Sequence, residues 1–523
     1  MELVQMTIGQ MLRETVAKWP ERPALQNSEQ LISWRECLSR VESLASGLLT
    51  IGIKKGAHVG LLVPNTVEAF LLMLACWDIG AVTVLLNTSL SADELTPLLD
   101  LTEVEAIVSG GQHKNIVLMD TVKEALSGRE CIPVVDIYSA DMEKLMLAPN
   151  TALREAEEMV SPDDNAAILF TSGTTAQPKA VPSTHYMRVN NARIQARDQM
   201  ATEHDKFCVA IPLFHCFCLT ANLLAAVAAG ACLCFPKSNR TAELMQTIET
   251  KRCTVLTCVP TLYFAMMARE DFASYDISCL RTGLIGGAAY TAEQFVKIEK
   301  AFKFRLLSSL GQTEATAGLT VCNYDDPLEV RSATVGHFME HLEGCIMDSN
   351  EKPVAEGVQG EICVRGYSVM DGYYRSPEQT ASTIDQNGWL HTGDMGYLDT
   401  DGNIHLTGRL KDLVIRGGEN IAPAEIELCL SSECSEIALI KVVGVPDSHY
   451  GEELCAFVQL KPNTQLTEQQ LRETAKEHLA YYKVPKYILF TENMPTTASG
   501  KIRGSQVREE CVRILTEQGS LPC

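Results

Sequence analysis

Apolar residues between Thr7 and Trp19 fall at Ile8, Met11, Leu12 and Val16, the spacing of one helix face. Leu31-Ile32-Ser33-Trp34 then predicts a strand, and helical spacing returns from Trp34 to Ile51, ending near Gly52. The uninterrupted run Val59 to Val63 predicts a buried strand, Pro64-Asn65 a break, and Val67 to Ile79 a helix stopped by Gly80. Ala81 to Leu86 reads as the next strand. Ser91 followed by Glu94 has the spacing of a capping box that opens another helix. Alternation of this kind predicts mostly parallel sheets covered by helices. Residues 128–165 are more polar, end in Ser161-Pro162-Asp163-Asp164, and predict a surface connection. No solenoid period is visible.

Ala166 to Phe170 predicts a further buried strand. It breaks into Thr171-Ser172-Gly173-Thr174-Thr175-Ala176-Gln177 and reaches Pro178-Lys179. Small residues let backbone N–H groups approach an anion closely, hydroxyls add donors and can hold Mg2+, and the lysine supplies charge. Such a loop grips phosphates, although the GxxxxGK[ST] spacing of the common P-loop is absent. Taken alone, the stretch reads equally well as a Ser/Thr-rich surface turn.

At 523 residues the chain has length for roughly three packing units of about 150 residues. Hydrophobic content of 46% with 21% charged residues excludes a disordered or fibrous class. A net charge of −22 argues against a nucleic-acid partner and against anionic membrane surfaces. It also requires that an anionic substrate be captured by local groups. None of the 19 cysteines forms a CxxC pair. Cys216/Cys218 and Cys232/Cys234 are two apart, wrong for zinc, so buried reduced thiols in a cytoplasmic protein are expected. The first residues lack the basic start and apolar core of a signal peptide. Val209 to Pro236 has no acidic or basic residue and the length of a membrane span. However, Pro212, His215, Asn222, Gly230 and Pro236 divide it into strand, helix and strand, so no transmembrane segment is expected.

The stretch from Phe170 to Val181 reads F-T-S-G-T-T-A-Q-P-K-A-V. It resembles the phosphate loop of the adenylate-forming enzymes (acyl-CoA synthetases, peptide-synthetase adenylation domains and luciferases), whose pattern is F/Y-T-S-G-T-T-G-x-P-K-G-V. Ala176 and Ala180 stand where that family usually has glycine, which stiffens the loop if those positions need positive φ. The resemblance implies that Thr171, Ser172, Gly173, Thr174, Thr175 and Lys179 hold the phosphates of ATP. Further motifs follow in family order. Ile211-Pro212-Leu213-Phe214-His215 resembles the strand end that opens the acyl pocket. His215, Cys216, Phe217 and Gly286 are then its implied lining, with Thr220 following them into the pocket. Val255 to Pro260 with Thr261-Leu262 matches a packing segment. Gly286-Gly287-Ala288 is the implied face for adenine and the acyl group.

Ser308-Ser309-Leu310-Gly311-Gln312-Thr313-Glu314 resembles Y-G-x-T-E. It implies nucleotide contacts from Ser309, Leu310, Gly311 and Gln312, an α-phosphate contact from Thr313, and Mg2+ ligation by Glu314 with Thr175. Leu310 replaces the aromatic residue that stacks on adenine in the family. Val335-Gly336, Gly360-Glu361-Ile362, Arg365-Gly366-Tyr367 and Asp371-Gly372-Tyr373-Tyr374 fit the family as β-rich scaffold. Gly388 to Asp394 is a strong match that makes Asp394 the ribose ligand, and Arg409 pairs with ribose or phosphate. Lys411 falls at the family's hinge. Gly417 and Gly418 fall in the loop that lines the CoA pantetheine tunnel, and Lys501, in Ser499-Gly500-Lys501-Ile502, falls at the adenylating lysine.

The implied fold is α/β. It has a large N-terminal domain of helix-covered, mostly parallel sheets with a β-rich subdomain, and a small mobile α+β C-terminal domain. The expected division is 1–409, an AMP-binding domain with an acyl pocket, and 410–523, a lid that turns near Lys411. The implied activity is that of an acid–thiol ligase. A carboxylic acid is activated by ATP as acyl-AMP with release of pyrophosphate and then transferred to CoA, with Mg2+ as cofactor. The carrying segments place the chain nearest the medium-chain acyl-CoA synthetases, with room for an aliphatic or aryl chain. Other readings stay open: an amino-acid or aryl-acid adenylating enzyme that loads a carrier protein, an oxidative luciferase-type enzyme, and a non-catalytic nucleotide-binding homologue. The last is motivated by Ala176, Ala180 and Leu310. The expected partners are small molecules, and the expected assembly is a monomer or homodimer.

Overall fold

The computed structural model describes residues 1–523 except 114, 129–131, 172–177, 417–418, 448–449, 497–500 and 522–523. The early helices and strands form where the apolar pattern sets them. Thr7 caps the helix Ile8–Lys18, closing a capping box with Gln10. Leu31–Ser33 is a strand that leads directly into the helix Trp34–Thr50. His58–Leu62 and Val82–Leu85 are parallel neighbours, and the Ser91/Glu94 capping box is made in full.

A six-stranded sheet runs in the order Lys179–Thr184, Asn165–Thr171, Val82–Leu85, His58–Leu62, Ala106–Ser109, Val134–Asp136. It is parallel except for the first pair. A nine-stranded sheet has a parallel centre that includes Lys206–Cys208, Val255–Leu256, Thr282–Ile285 and Arg305–Gly311, with antiparallel strands at both ends. The helix Val67–Asp78 is buried at every position but Glu68, as its apolar run Ala69 to Trp77 requires. It lies between the two sheets. One apolar cluster joins it to Val59, Leu61 and Val108 of the first sheet and to Phe207, Val209 and Leu233 of the second. The outer faces carry separate clusters, Leu62, Val84 and Leu95 on one side and Leu256, Phe295 and Phe302 on the other. The period-2 alternation of strand side chains thus splits each sheet between two cores.

A four-stranded antiparallel sheet follows, Leu342–Met347, Gly360–Gly366, Leu390–Leu398 and Ile404–Arg409. The last sheet is built only from residues beyond 413, with Ile437–Asp447 and Gly451–Leu460 as its long central pair. The helices Pro423–Glu433 and Glu468–His478 pack on one apolar cluster of this sheet, and Gly504–Glu517 on another.

Two expectations need correction. Residues 128–165 are not only a surface connection, because Val134–Asp136 is the edge strand of the first sheet and the helices Ala140–Leu145 and Thr151–Met159 follow it. The phosphate-loop strand pairs with an antiparallel partner, Lys179–Thr184. Ala180 lies in that strand, paired with Phe170 and buried, so the missing glycine there imposes no backbone strain. Of the strand, helix and strand expected in Val209–Pro236, the helix and the strand Cys232–Cys234 form, but the first strand ends at Cys208, before the stretch begins; among the described residues no helix is long and apolar enough to cross a membrane.

Candidate active site

The carboxyl ends of Asn165–Thr171 and Arg305–Gly311 open toward one cleft, where ligands of parallel sheets bind. Thr171 ends the first strand with a buried hydroxyl that has no hydrogen-bond partner among the described residues, a donor suited to an anion. Ser172, Gly173, Thr174 and Thr175 lie outside the described residues, as does Ala176. The chain returns at Lys179, paired in register with Thr171. The Lys179 ammonium stands 4.4 Å from the centroid of the Tyr373 ring. The Tyr373 hydroxyl donates to Glu314 Oε1 at 2.9 Å. Burial and the facing Glu314 charge push the Tyr373 phenol up, so it stays a donor.

Glu314 sits on the one-turn helix Thr313–Ala315 that follows the second strand. Among the described residues its other carboxylate oxygen takes no hydrogen bond. A half-buried carboxylate with one uncommitted oxygen beside a phosphate loop is a hard-oxygen donor of the kind Mg2+ uses, so the residues fit that ion. Thr313 donates from Oγ1 to Cys216 Sγ at 3.6 Å, joining this turn to the acyl side.

Gly286 and Gly287 follow the strand Thr282–Ile285. A Cβ at Gly286 would stand 2.7 Å from the Ser309 carbonyl oxygen, so only glycine lets the two strand ends lie this close. Gly287 has φ +79 and is exposed to the cleft, with Ala288 half-buried beside it. Ser309 and Leu310 are half-buried on the facing strand, and Leu310 packs toward Val335, Ile346 and Ile362. Gly311 follows with a Cβ position 2.0 Å from the Ala317 carbonyl oxygen.

Asp394 is 4% exposed, and both its oxygens are held. Arg409 Nε donates to Oδ1 at 2.8 Å and Gln312 Nε2 donates to Oδ2 at 2.7 Å. Asp394 and Arg409 are direct cross-strand partners, which brings them together although fifteen residues separate them. Glu361 props the same turn, accepting from the Gly393 N–H and contacting His391 Nδ1, each at 2.8 Å.

On the acyl side, Asn65 explains the Pro64-Asn65 break. Its Nδ2 donates to the Ile211 carbonyl at 2.7 Å and its Oδ1 accepts from Leu213 N–H at 2.9 Å. That clamp fixes the segment leading to His215. The His215 ring packs on Phe214 with centroids 4.6 Å apart, and burial together with the Lys501 charge lowers it to about 4, so it is a neutral imidazole. Cys216 is held up by burial and remains a thiol, and Phe217 packs among Ala221, Leu284 and Leu307. Thr220, expected to follow them into the pocket, is instead fully buried with its hydroxyl engaged by Arg188, so it braces these residues from behind.

Lys501 belongs to the C-terminal sheet region, where Thr496 and Ile502 form an antiparallel bridge around it. Part of its surface is exposed, yet its ammonium is crowded by protein atoms. That crowding, with help from Arg409, lowers its pKa against the opposing pull of Cys216 and Asp394. Its charge is thus coupled to Arg409, Asp394, Cys216 and His215 of the preceding part of the chain. Lys411 lies in the short turn Leu410–Asp412, and Gly417 and Gly418 are outside the described residues.

Tyr373 and Glu361 were read as scaffold, and Arg188 carried no reading. Tyr373 is 59 positions from Glu314, so nothing local in the sequence marks their contact. The signal that was available is the Asp371-Gly372-Tyr373-Tyr374 segment itself, an aromatic pair after a Gly turn.

Residues 12–374 match the model of the AMP-binding enzyme family, and residues 425–501 match that of the AMP-binding enzyme C-terminal domain. The medium-chain acyl-CoA ligase ACSF2, mitochondrial, of Homo sapiens is 32% identical over 544 residues, covering 97% of this chain and 88% of that protein. YngI of Bacillus subtilis (strain 168) is 35% identical, covering 99% of this chain and all, 100%, of its own. The crystal structure of ATP-bound MatB from Rhodopseudomonas palustris superposes with a TM-score of 0.85 at 26% identity, covering 97% of this chain and 100% of that one. With the cleft built as described and the match running through both parts of the chain, this protein belongs to the AMP-binding enzyme family.

Proposed function

We propose that this chain is an ATP-dependent acyl-CoA synthetase whose acid is a medium-chain aliphatic or related aryl carboxylate. The observation that carries the reading is the convergence of Lys501, from the C-terminal sheet, with Asp394, Arg409, Cys216 and His215 of the preceding sheets. Support for the acyl-CoA class comes from the relatives, among them the ACSF2 ligase.

In the first half-reaction a carboxylate oxygen attacks the α-phosphorus of ATP, the α–β phosphoanhydride bond breaks, and acyl-AMP and pyrophosphate form. The demand on the protein is electrostatic stabilisation of oxygens that gain charge at the transferring phosphorus. Lys501 and the phosphate-loop donors of Thr171 to Thr175 with Lys179 meet it. Asp394 and Arg409 hold the ribose end, Gly286, Gly287 and Ala288 with Ser309 to Gln312 flank the base, and Thr313 contacts the α-phosphate. Mg2+, held by Glu314 and Thr175, would neutralise phosphate charge when bound. His215, Cys216 and Phe217 bound the acyl pocket, where a neutral imidazole and a thiol leave an apolar chain little to desolvate.

In the second half-reaction the CoA sulfur attacks the acyl carbon, AMP leaves, and one proton is released. In this reading one pocket serves both steps, so the second requires the 410–523 part to turn about Lys411, withdrawing Lys501 and bringing Gly417 and Gly418 to the pantetheine arm. The test is pyrophosphate release with MgATP, with and without CoA, across short, medium, aryl and amino acids. CoA-dependent turnover that peaks on medium-chain or aryl acids is expected. Release with amino acids that ignores CoA would overturn the reading.

A further inference from the structure

The helix His185–Asp198 carries Arg188, whose side chain is fully buried at 0% exposure. Among the described residues no carboxylate pairs with it. Burial pulls the guanidinium down to about 10, and Cys216 is the group that opposes the pull. An unpaired cation inside a protein is costly, and it persists only where strong hydrogen bonds use it. Its bonds go to neutral oxygens on separate elements. Nε donates to Ser183 Oγ at 2.9 Å, on the strand that returns from the phosphate loop. Nη1 donates to Thr220 Oγ1 at 2.8 Å, in the π-helical segment Leu219–Leu224 behind the acyl wall. Nη1 also donates to the Thr316 carbonyl at 3.1 Å.

Thr316 is the informative partner. It is β-branched and has φ +70 with ψ −36, a conformation that such residues avoid. Strain of this kind survives only where the surroundings hold it. Here the Thr316 N–H donates to Thr313 O at 3.0 Å, its Oγ1 donates to Ser368 O at 2.8 Å, and its carbonyl takes Arg188 and Thr220 Oγ1. This tight turn carries Thr313 and Glu314. The charged donor therefore sits directly behind the strained end of the segment that faces the nucleotide.

We propose that Arg188 is a positioning residue that locks the Thr313–Thr316 turn from behind, and so aims Glu314 and Thr313 at the metal–phosphate end of ATP. The inference rests on the adenylation reading above. It concerns the Mg2+-dependent part of ATP binding and the first half-reaction, and leaves the second largely alone.

The experiment compares wild type, Arg188→Met and Arg188→Lys. Titration calorimetry measures ATP with and without Mg2+, and AMP, in the absence of acid and CoA. Amide hydrogen exchange is followed over residues 313–318. Half-reaction assays then separate pyrophosphate release from thioester formation on supplied acyl-AMP. In Arg188→Met, the gain in ATP affinity that Mg2+ confers should fall about tenfold, AMP affinity should stay within about threefold, and exchange over the turn should rise. Pyrophosphate release should fall at least tenfold more than thioester formation, and Arg188→Lys, with a single point donor, should lie between. If Arg188→Met does not fold, Arg188→Ala with added guanidinium takes its place, and recovery of the Mg2+ effect is the expected result. An unchanged Mg2+ increment, or equal losses in MgATP binding, AMP binding and thioester formation, overturns the inference. A wild type that binds no MgATP overturns the adenylation reading together with this one, whereas normal wild-type binding with an unaffected variant overturns only the role of Arg188.

Discussion

The carboxylate of Asp394 offers a test in which ligand and protein are altered together. Each of its oxygens already accepts one hydrogen bond, from Arg409 and from Gln312. A carboxylate has roughly four lone-pair sites, so one site per oxygen is left for a ribose hydroxyl. Hydrogen bonds to a charged acceptor contribute about 1.5–3 kcal/mol each. Two such bonds, taken at the low end because the hydroxyls must first give up water, amount to about 3 kcal/mol, or roughly a hundredfold in affinity. Wild type should therefore bind ATP about a hundredfold more tightly than 2′,3′-dideoxy-ATP by titration calorimetry. Asp394→Asn keeps the size of the side chain and one acceptor oxygen but removes the charge. In that variant the two nucleotides should differ by less than about tenfold, chiefly because ATP binding weakens. Discrimination as strong in the variant as in wild type would refute the assignment, because the ribose hydroxyls would then be read by something else. A loss of both nucleotides in equal proportion would point to collapse of the Arg409–Asp394–Gln312 contacts.

Other consequences can be checked separately. Lys501→Ala should lower acyl-AMP formation by about a hundredfold or more, the size seen when a transition-state donor is removed, while thioester formation from supplied acyl-AMP stays within a few-fold; equal losses in both steps would be the contrary result. Glu314→Gln should move the Mg2+ midpoint of pyrophosphate release upward by about tenfold, since a neutral amide is a poorer ligand than a carboxylate, and an unmoved midpoint would remove it as ligand. His185 accepts from the Ile8 N–H and is fully buried, and burial lowers it from 6.5 to about 4. Between those values the unfolded chain binds the extra proton, so stability is retained above about pH 6.5 and falls by up to about 3 kcal/mol as pH drops to about 4. Urea unfolding at pH 4.5 and 7.5 should show this fall and His185→Gln should reduce it; a variant with the same pH slope as wild type would exclude His185 as its source.

Where the chain pattern and the structure agree, one physical rule governs both. From Ala69 to Trp77 the chain is apolar on every side and is buried on every side. Ser91 and Glu94 form their box because both partners lie within one helical turn. The disagreements have equally local causes. Lys179–Thr184, to which the pattern assigns no element, contains Pro182, and a proline without an N–H is tolerated there because this strand is the edge of its sheet. Val134–Asp136 is a three-residue edge strand, too short for its alternation to stand out. For the site, motif order was enough to bring Asp394, Arg409, Glu314 and Thr313 into view. Residues that act by contact across distant elements, Tyr373 on Glu314 and Arg188 on Thr316, have no spacing that marks them. Their chemistry exists only once the sheets are assembled.

Charge connects the cleft with the movement assigned to the C-terminal part. The chain is strongly acidic overall, at −22, so its long-range field does not draw a nucleotide in. Capture falls to local cations, among them Arg409 from the antiparallel sheet and Lys501 from the last part of the chain, which act on each other. Such convergence opposes itself when no anion is present. Crowding and the Arg409 charge both disfavour the Lys501 ammonium, which is what its lowered pKa records. A triphosphate reverses the balance, because its charge offsets the mutual repulsion that the lysine meets in the cleft. Loss of pyrophosphate removes most of that charge, and AMP retains one phosphate group that the acyl group has already part-neutralised. In the proposed cycle, the step that ends adenylation therefore also weakens the hold on Lys501. The lid's departure then needs no separate trigger, since the leaving pyrophosphate takes with it the attraction that kept the lysine in place.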